Sequence, residues 1–128
     1  DGNDYGSTYV EINLTAQHLY FYKGGSLVVQ SDFVSGNESK GWSTPAGAYP
    51  LTYKQRNATL KGENYSTPVS YWMPFNGGIG LHDAYWRSSF GGTIYKTNGS
   101  HGCINLPPAV AKTIYENISA GTAVLCYH

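Results

Sequence analysis

The chain has 128 residues, and its 8 lysines and arginines balance 8 aspartates and glutamates, so the formal net charge is zero. This length suits one domain with one hydrophobic core. A neutral chain gives no electrostatic reason to expect nucleic acid or an anionic membrane as a partner. No apolar run approaches the roughly 20 residues that cross a bilayer, and we expect no signal peptide, so any membrane contact would depend on segments absent from this chain.

The first half of the chain predicts short strands joined by tight turns, in keeping with its 16 glycines and 12 tyrosines. Apolar and polar residues alternate from Tyr9 to Leu14, which is typical of a half-buried strand. The glycines of Lys23–Ser26 favour a hairpin turn between two further strands. A polar stretch, residues 55–66, is expected to be a loop or a hairpin excursion. The predicted strands of this half are 9–14, 19–22, 27–34 and 49–53.

The second half predicts two more short strands, 71–75 and 79–82, followed by a long loop at 83–99. Loops of this length in a compact domain are usually functional. One helix is expected from Pro107 to about Gly121, because proline suits a first helical turn and apolar residues recur every fourth position. A last strand at 122–127 would complete the sheet. We therefore predict a linker remnant at 1–8 and, at 9–128, a mostly antiparallel β domain with one principal helix.

The most informative segment is Ser100-His101-Gly102-Cys103-Ile104-Asn105, with His82 upstream. A thiol attacks well only as thiolate, and an imidazole can take its proton to leave a thiolate–imidazolium pair. Because alternate residues of an extended segment face the same side, His101, Cys103 and Asn105 would share one face. Cys103 therefore need not use its neighbour His101, and we assign His82 as its general base.

Two other groups would complete such a site. The second ring nitrogen of His82 needs an acceptor to fix its tautomer, and the backbone carbonyl of Asp83, the Asp83 carboxylate and Ser100 are all candidates. The backbone N–H groups of Gly102 and Cys103 are expected to form an oxyanion hole. A zinc site made of His82, His101 and Cys103 is the main structural competitor, although it lacks a clear fourth ligand. The other cysteine, Cys126, reads as a buried free thiol in the last strand.

These residues resemble the catalytic domain of the L,D-transpeptidases, cysteine enzymes that cross-link bacterial peptidoglycan. The resemblance covers nearly the whole chain and is most specific at Gly80-Leu81-His82 and Ser100-His101-Gly102-Cys103-Ile104-Asn105-Leu106. Weaker matches, in the family's order, occur at 9–14, 17–22, 34–36 and 44–47. The resemblance implies the family's fold, an antiparallel, β-sandwich-like domain.

The resemblance also implies roles for individual residues. Cys103 would be the acylated nucleophile, His82 its base and the Asp83 carbonyl the third member, with Ser100, His101 and Gly102 in the supporting motif. Many family members have glycine at the position of Asp83 and arginine at that of Asn105, so this chain departs from them at both. We expect the substrate-binding residues to be Asn105, Trp86, Tyr85, Tyr71 and Trp72.

The activity implied by the resemblance is transfer of a peptidoglycan stem. Cys103 would attack the carbonyl before a terminal D-Ala, release that residue, and pass the acyl group to a neighbouring stem in a 3→3 cross-link. No cofactor or metal is expected, carbapenem β-lactams should acylate Cys103, and the enzyme would work outside the cytoplasm at the cell wall. Two alternatives remain open: an L,D-carboxypeptidase that hydrolyses the same bond, and a non-catalytic, wall-binding β module.

Overall fold

A computed structural model describes residues 7–62 and 65–128, so most of the predicted linker remnant lies outside the described residues. The described chain forms two sheets and two α-helices. The strands are β1 (Tyr9–Asn13), β2 (His18–Lys23), β3 (Ser26–Asp32), β4 (Gly47–Pro50), β5 (Gln55–Gly62), β6 (Tyr65–Asn76), β7 (Ile79–Asp83), β8 (Ile104–Leu106) and β9 (Ala123–Tyr127). The helices are α1 (Ile94–Asn98) and α2 (Pro108–Asn117), and a 3-10 turn covers Glu38–Lys40.

The first sheet has five strands in the order β3-β2-β1-β9-β4. The alternation read from the sequence is confirmed, because Val10 and Ile12 of β1 are fully buried while the residues between them are partly exposed. The predicted hairpin at Lys23–Ser26 joins β2 to β3. This sheet thus turns one face toward the core and the other toward solvent, as period-two patterning requires.

The second sheet has four strands in the order β5-β6-β7-β8 and carries the predicted catalytic segments. Of the two readings for residues 55–66, the hairpin is the one found, since β5 pairs antiparallel with β6 from Gln55 opposite Trp72 to Gly62 opposite Tyr65. His82 lies on β7, directly between Trp72 of β6 and Asn105 of β8. Strand pairing therefore brings the two distant sequence motifs side by side.

The core fills the space between the two sheets and α2. It includes Phe21 from the first sheet, Met73 and Leu81 from the second, and Ile114 from the helix, all fully buried. The predicted apolar face of the helix is confirmed by Ile114 and by Ile118, which is 2% exposed just beyond the helix end. Burial of these side chains supplies the main driving force for folding.

The mostly antiparallel β architecture predicted from the sequence is confirmed, with two parallel exceptions: β1 pairs parallel with β9, and β7 pairs parallel with β8. Two other sequence expectations need correction. β3 ends at Asp32 rather than Val34, and the long loop 83–99 contains the short helix α1. Alternation fixes which face of a strand is buried but says nothing about its partner or direction, so these features could not be derived from it.

A connection between the two sheets supports the segment that is predicted to be catalytic. Val34 and Asn105 exchange backbone hydrogen bonds of 3.0 and 2.8 Å, and Ser100 bonds in the same way to Ser35 and Asn37 at 2.9 Å each. The chain leaving β3 therefore runs beside residues 100–105 and fixes their path. No helix among the described residues is long and apolar enough to cross a membrane.

Candidate active site

A cleft of about 420 Å³ opens beside the second sheet. Its walls come from the β5–β6 hairpin, the end of β7, the loop that follows β7, and the segment before β8. The lining residues are Leu60, Tyr65, Ser66, Thr67, Pro68, His82, Tyr85, Trp86, Arg87, Gly99, Ser100, His101, Cys103 and Asn105. His82 and Cys103, predicted from the sequence as base and nucleophile, thus face one cavity.

His82 is nearly buried, with 4% of its surface exposed, and a neighbouring carbonyl fixes its tautomer. Its Nδ1 lies 2.7 Å from the backbone carbonyl of Asp83. A carbonyl can only accept, so Nδ1 carries the hydrogen and Nε2 presents a lone pair. Burial lowers the pKa of His82, a shift that the Asp83 hydrogen bond and carboxylate oppose and that Arg87 reinforces. The imidazole is therefore a neutral base.

The three candidates for orienting His82 are now distinguished. The carbonyl of Asp83 makes the contact, whereas the Asp83 carboxylate points away and accepts hydrogen bonds from the backbone N–H groups of Ser70 and Tyr71, both at 2.9 Å. The buried carboxylate is thus used to tie β6 to the end of β7. Ser100 bonds elsewhere in the motif and does not contact the ring.

The Cys103 thiol lies at the turn between β6 and β7, where it donates to the carbonyl of Gly78 at 3.4 Å. Burial raises the pKa of Cys103 to about 11, and a backbone hydrogen bond with Gly80 only partly opposes this by favouring the thiolate. Among the described residues the thiol has no hydrogen bond to His82. Desolvation favours the neutral form of both groups, and this disfavours a preformed thiolate–imidazolium pair.

Asn105 forms a hydrogen bond to Nε2 of His82, the atom that would accept the proton from Cys103. With its amide oriented to satisfy its neighbours, the nitrogen donates to His82 Nε2 at 3.1 Å and the oxygen accepts from Arg87 Nε at 2.9 Å and Nη2 at 3.3 Å. The guanidinium of Arg87 therefore lies beside Asn105, the position at which many members of the resembled family have arginine. Here the guanidinium comes from the loop after β7. Arg87 was not predicted from the sequence, which shows an arginine next to Trp86 in a long loop but not that its side chain contacts Asn105.

The segment before β8 is a compact bend and not the extended strand assumed from the sequence. Ser100 Oγ donates to the Cys103 carbonyl at 2.6 Å and accepts from the Gly102 N–H at 3.0 Å, and Gly102 has a φ of +130°. Strand alternation therefore does not describe residues 101–103, although His101, Cys103 and Asn105 all line the cleft as expected. The bend also changes the predicted oxyanion hole. The Gly102 N–H already donates to Ser100 Oγ, so of the two predicted donors the Cys103 N–H remains.

His101 belongs to the wall of the cleft. Its ring lies between Trp42, with centroids 4.4 Å apart, and Tyr65 of the hairpin at 4.2 Å. The stack joins the motif to the β5–β6 hairpin and to the loop after β3. This placement agrees with assigning the base to His82 and a supporting position to His101.

The predicted substrate-binding residues separate into two groups. Asn105, Trp86 and Tyr85 line the cleft, and the last two are 46% and 62% exposed. Tyr71 and Trp72 do not, which corrects that expectation. Tyr71 packs on Tyr115 of α2, and Trp72 is buried behind His82 with ring centroids 6.0 Å apart. Tyr71 and Trp72 are successive residues of β6, so they face opposite sides of the sheet, and each packs against another ring there.

The structure also bears on the zinc alternative. No group of three or more histidine, cysteine, aspartate or glutamate side chains within residues 7–62 and 65–128 is arranged to hold a metal ion. Both cysteines are free thiols, and Cys126 is buried in the core at 4% exposure, as the sequence predicts. Cys103 is thus the thiol that can meet a substrate.

Comparisons with known proteins point to one family. The crystal structure of a cysteine-to-serine mutant of the Enterococcus faecium L,D-transpeptidase is 43% identical, with a TM-score of 0.90, over 94% of this chain and 50% of that one. The NMR structure of the E. faecium catalytic domain acylated by ertapenem is 43% identical, with a TM-score of 0.84, over 94% of this chain and 97% of that one. A Bacillus subtilis protein named as a candidate L,D-transpeptidase, YciB, is 27% identical over 125 residues.

This chain corresponds to part of its longer relatives, since it spans 64% of the B. subtilis protein and 50% of the crystallised E. faecium chain. The profile of the L,D-transpeptidase catalytic domain family (YkuD) matches residues 7–126, almost the whole sequence. Profile and structural likeness confirm the resemblance and the fold predicted from the motifs. The chain belongs to the L,D-transpeptidase catalytic domain family.

Proposed function

We propose that this domain is a cysteine L,D-transpeptidase that forms 3→3 peptidoglycan cross-links through an acyl-enzyme on Cys103. The observation that carries the proposal is the shared cleft of His82 and Cys103, with Nδ1 of His82 fixed by the Asp83 carbonyl at 2.7 Å. That contact leaves Nε2 as the only proton acceptor of the ring. Nucleophile, base and orienting group are the elements of covalent acyl transfer.

The first half-reaction acylates the cysteine. Because the thiol pKa is about 11 and that of His82 is lowered, proton transfer from Sγ to Nε2 accompanies attack instead of preceding it. Sγ bonds to the carbonyl carbon before the terminal D-Ala, and the Cys103 N–H stabilises the resulting oxyanion. The C–N bond then breaks, Nε2 returns its proton to the leaving amine, and D-Ala departs from a thioester.

The second half-reaction reverses these roles with a new amine. The side-chain amine of a neighbouring stem attacks the thioester carbonyl and gives a proton to His82. The C–S bond breaks, and Cys103 recovers its proton. The hydrogen bond from Asn105 to Nε2 must be released in each cycle, because a lone pair already accepting a hydrogen bond is a weaker proton acceptor.

The partners proposed are the donor and acceptor stem peptides, with carbapenems as covalent inhibitors. The cleft is open along the hairpin and is lined mostly by aromatic and neutral polar side chains, with Arg87 as its one cationic lining residue among those the structure describes, which suits a peptide of mixed polarity. One relative's structure is described as acylated by ertapenem. We propose the same chemistry at Cys103, and a site of action outside the cytoplasm, where peptidoglycan lies.

The test is a product assay with a tetrapeptide stem as both donor and acceptor. We expect release of D-Ala and formation of a cross-linked dimer, with loss of both in Cys103→Ala. Tripeptide without dimer would instead establish the L,D-carboxypeptidase alternative. Unchanged binding to peptidoglycan with no turnover by wild type or variant would establish a wall-binding module and contradict the proposal.

A further inference from the structure

Arg87 gives the catalytic cleft its charge. Among the described residues that line the cleft it is the one lysine or arginine, and none of them is aspartate or glutamate. The carboxylate of Asp83, the residue that follows His82, is turned toward the backbone of Ser70 and Tyr71. The cleft therefore presents a permanent positive charge to whatever enters it.

The guanidinium is held, but it is not neutralised. Nη1 donates to the carbonyl of Asn98 at 2.9 Å, while Nε and Nη2 donate to the amide oxygen of Asn105. Both acceptors are uncharged, and no carboxylate within the described residues lies at ion-pair distance from Arg87. A guanidinium has five N–H donors, so these bonds leave two unused. A half-buried cation of this kind is stabilised by an anionic ligand.

The position of Arg87 relative to the base decides which anion fits. Asn105 bridges the two groups, since its amide contacts His82 Nε2 on one side and the guanidinium on the other. The leaving amine must lie at Nε2 when it takes its proton. The carboxyl carbon of an amino acid lies only about 2.5 Å from its own amine nitrogen. A terminal carboxylate one residue past the scissile bond therefore reaches toward Arg87.

We propose that Arg87 is a specificity-determining residue that binds the free carboxylate of the terminal residue released from the donor peptide. The assignment rests on the proposed function and adds to it the residue that recognises the free carboxylate of the terminal residue. The planar fork of arginine matches a carboxylate through paired N–H donors. Lysine would retain the charge and lose the fork.

The experiment compares two tetrapeptide donors that differ only at the C-terminus, one with a free carboxylate and one with a carboxamide. Release of the terminal residue gives kcat/KM for wild type, Arg87→Gln, Arg87→Lys and Arg56→Gln. Arg56 is a matched control, because it stacks on Tyr71 outside the cleft lining. We expect wild type and Arg56→Gln to prefer the free carboxylate about 10- to 100-fold.

The variants separate recognition from structural support. Arg87→Gln should lose this preference by slowing on the carboxylate donor while keeping its rate on the carboxamide, and Arg87→Lys should keep part of it. Equal rates of wild type on both donors, or an equal loss on both in Arg87→Gln, would overturn the assignment and leave the proposed function intact. Consumption of neither donor by wild type would overturn the proposed function and this assignment together.

Discussion

The two cysteines of the chain lie in regions that treat a thiol in opposite ways. Cys126, on β9 of the five-stranded sheet, is surrounded by apolar core residues, and burial raises its pKa to about 12. Cys103, beside the four-stranded sheet, has a pKa raised to about 11 by the same cause, yet it lines a cleft with His82 and Asn105. Burial thus raises the thiol pKa in both regions, and Cys103 differs from Cys126 in lying in an open cleft beside polar neighbours.

The largest expected effect comes from replacing His82 of the four-stranded sheet, with a histidine of the five-stranded sheet as the control. His82→Gln should lower kcat/KM for D-Ala release by about 10²- to 10⁴-fold, because a neutral thiol then has no base. His18→Gln is the matched control. His18 lies on the five-stranded sheet and bonds to Asp32 at 2.7 Å and Gln30 at 3.0 Å, away from the cleft.

Comparing kcat/KM for D-Ala release in the two histidine variants tests whether only the histidine of the four-stranded sheet takes part in catalysis. We expect His18→Gln to retain the wild-type rate within a factor of about two, which is the effect typical of surface substitutions. A similar loss in both variants would show that the histidines act through the fold in general.

The next largest effect concerns the thiols themselves. With a pKa of about 11, Cys103 in the free protein should react with iodoacetamide about tenfold faster for each pH unit between 7 and 10, because only the thiolate is nucleophilic. Cys126, buried at 4% exposure, should stay unlabelled in the folded protein. Labelling of wild type and Cys103→Ala, followed by peptide mass spectrometry, checks both. A Cys103 rate that is already maximal at pH 7 would instead support a preformed ion pair.

The smallest effect is on stability in mild acid. The pKa of His82 is lowered in the folded protein by burial, whereas in the unfolded chain it returns to about 6.5. Above pH 6.5 both states are neutral at this residue and it contributes nothing to the pH dependence. Below that pH the unfolded chain binds a proton that the folded protein refuses, so the free energy of unfolding falls as pH decreases toward the folded-state pKa.

The slope from His82 is at most about 1.4 kcal/mol per pH unit, the limit for one proton. Denaturant unfolding of wild type and His82→Gln between pH 7 and 5 isolates it by difference. Identical pH dependence in the two proteins would mean that His82 titrates normally and is not desolvated as described.

The same contrast explains what the sequence could predict. In the five-stranded sheet, alternation and the glycine turn identify β1, β2 and β3, because burial of one face dictates the pattern. At the site, motif and chain order predict Cys103 as nucleophile and His82 as base, whereas the Asp83 carbonyl was one of three candidate acceptors until the family resemblance pointed to it. The position of Arg87 was not accessible, because a loop without periodicity does not reveal which side chain turns back to β8. The bend at Gly102 was also missed, since glycine permits a positive φ without requiring it.

Intact-mass measurement with a carbapenem shows directly which cysteine is acylated. We expect wild type to gain the mass of one carbapenem, Cys126→Ala to do the same, and Cys103→Ala to gain none. A stable adduct on Cys103→Ala, or its loss only in Cys126→Ala, would contradict the assignment of Cys103 as the acylated nucleophile.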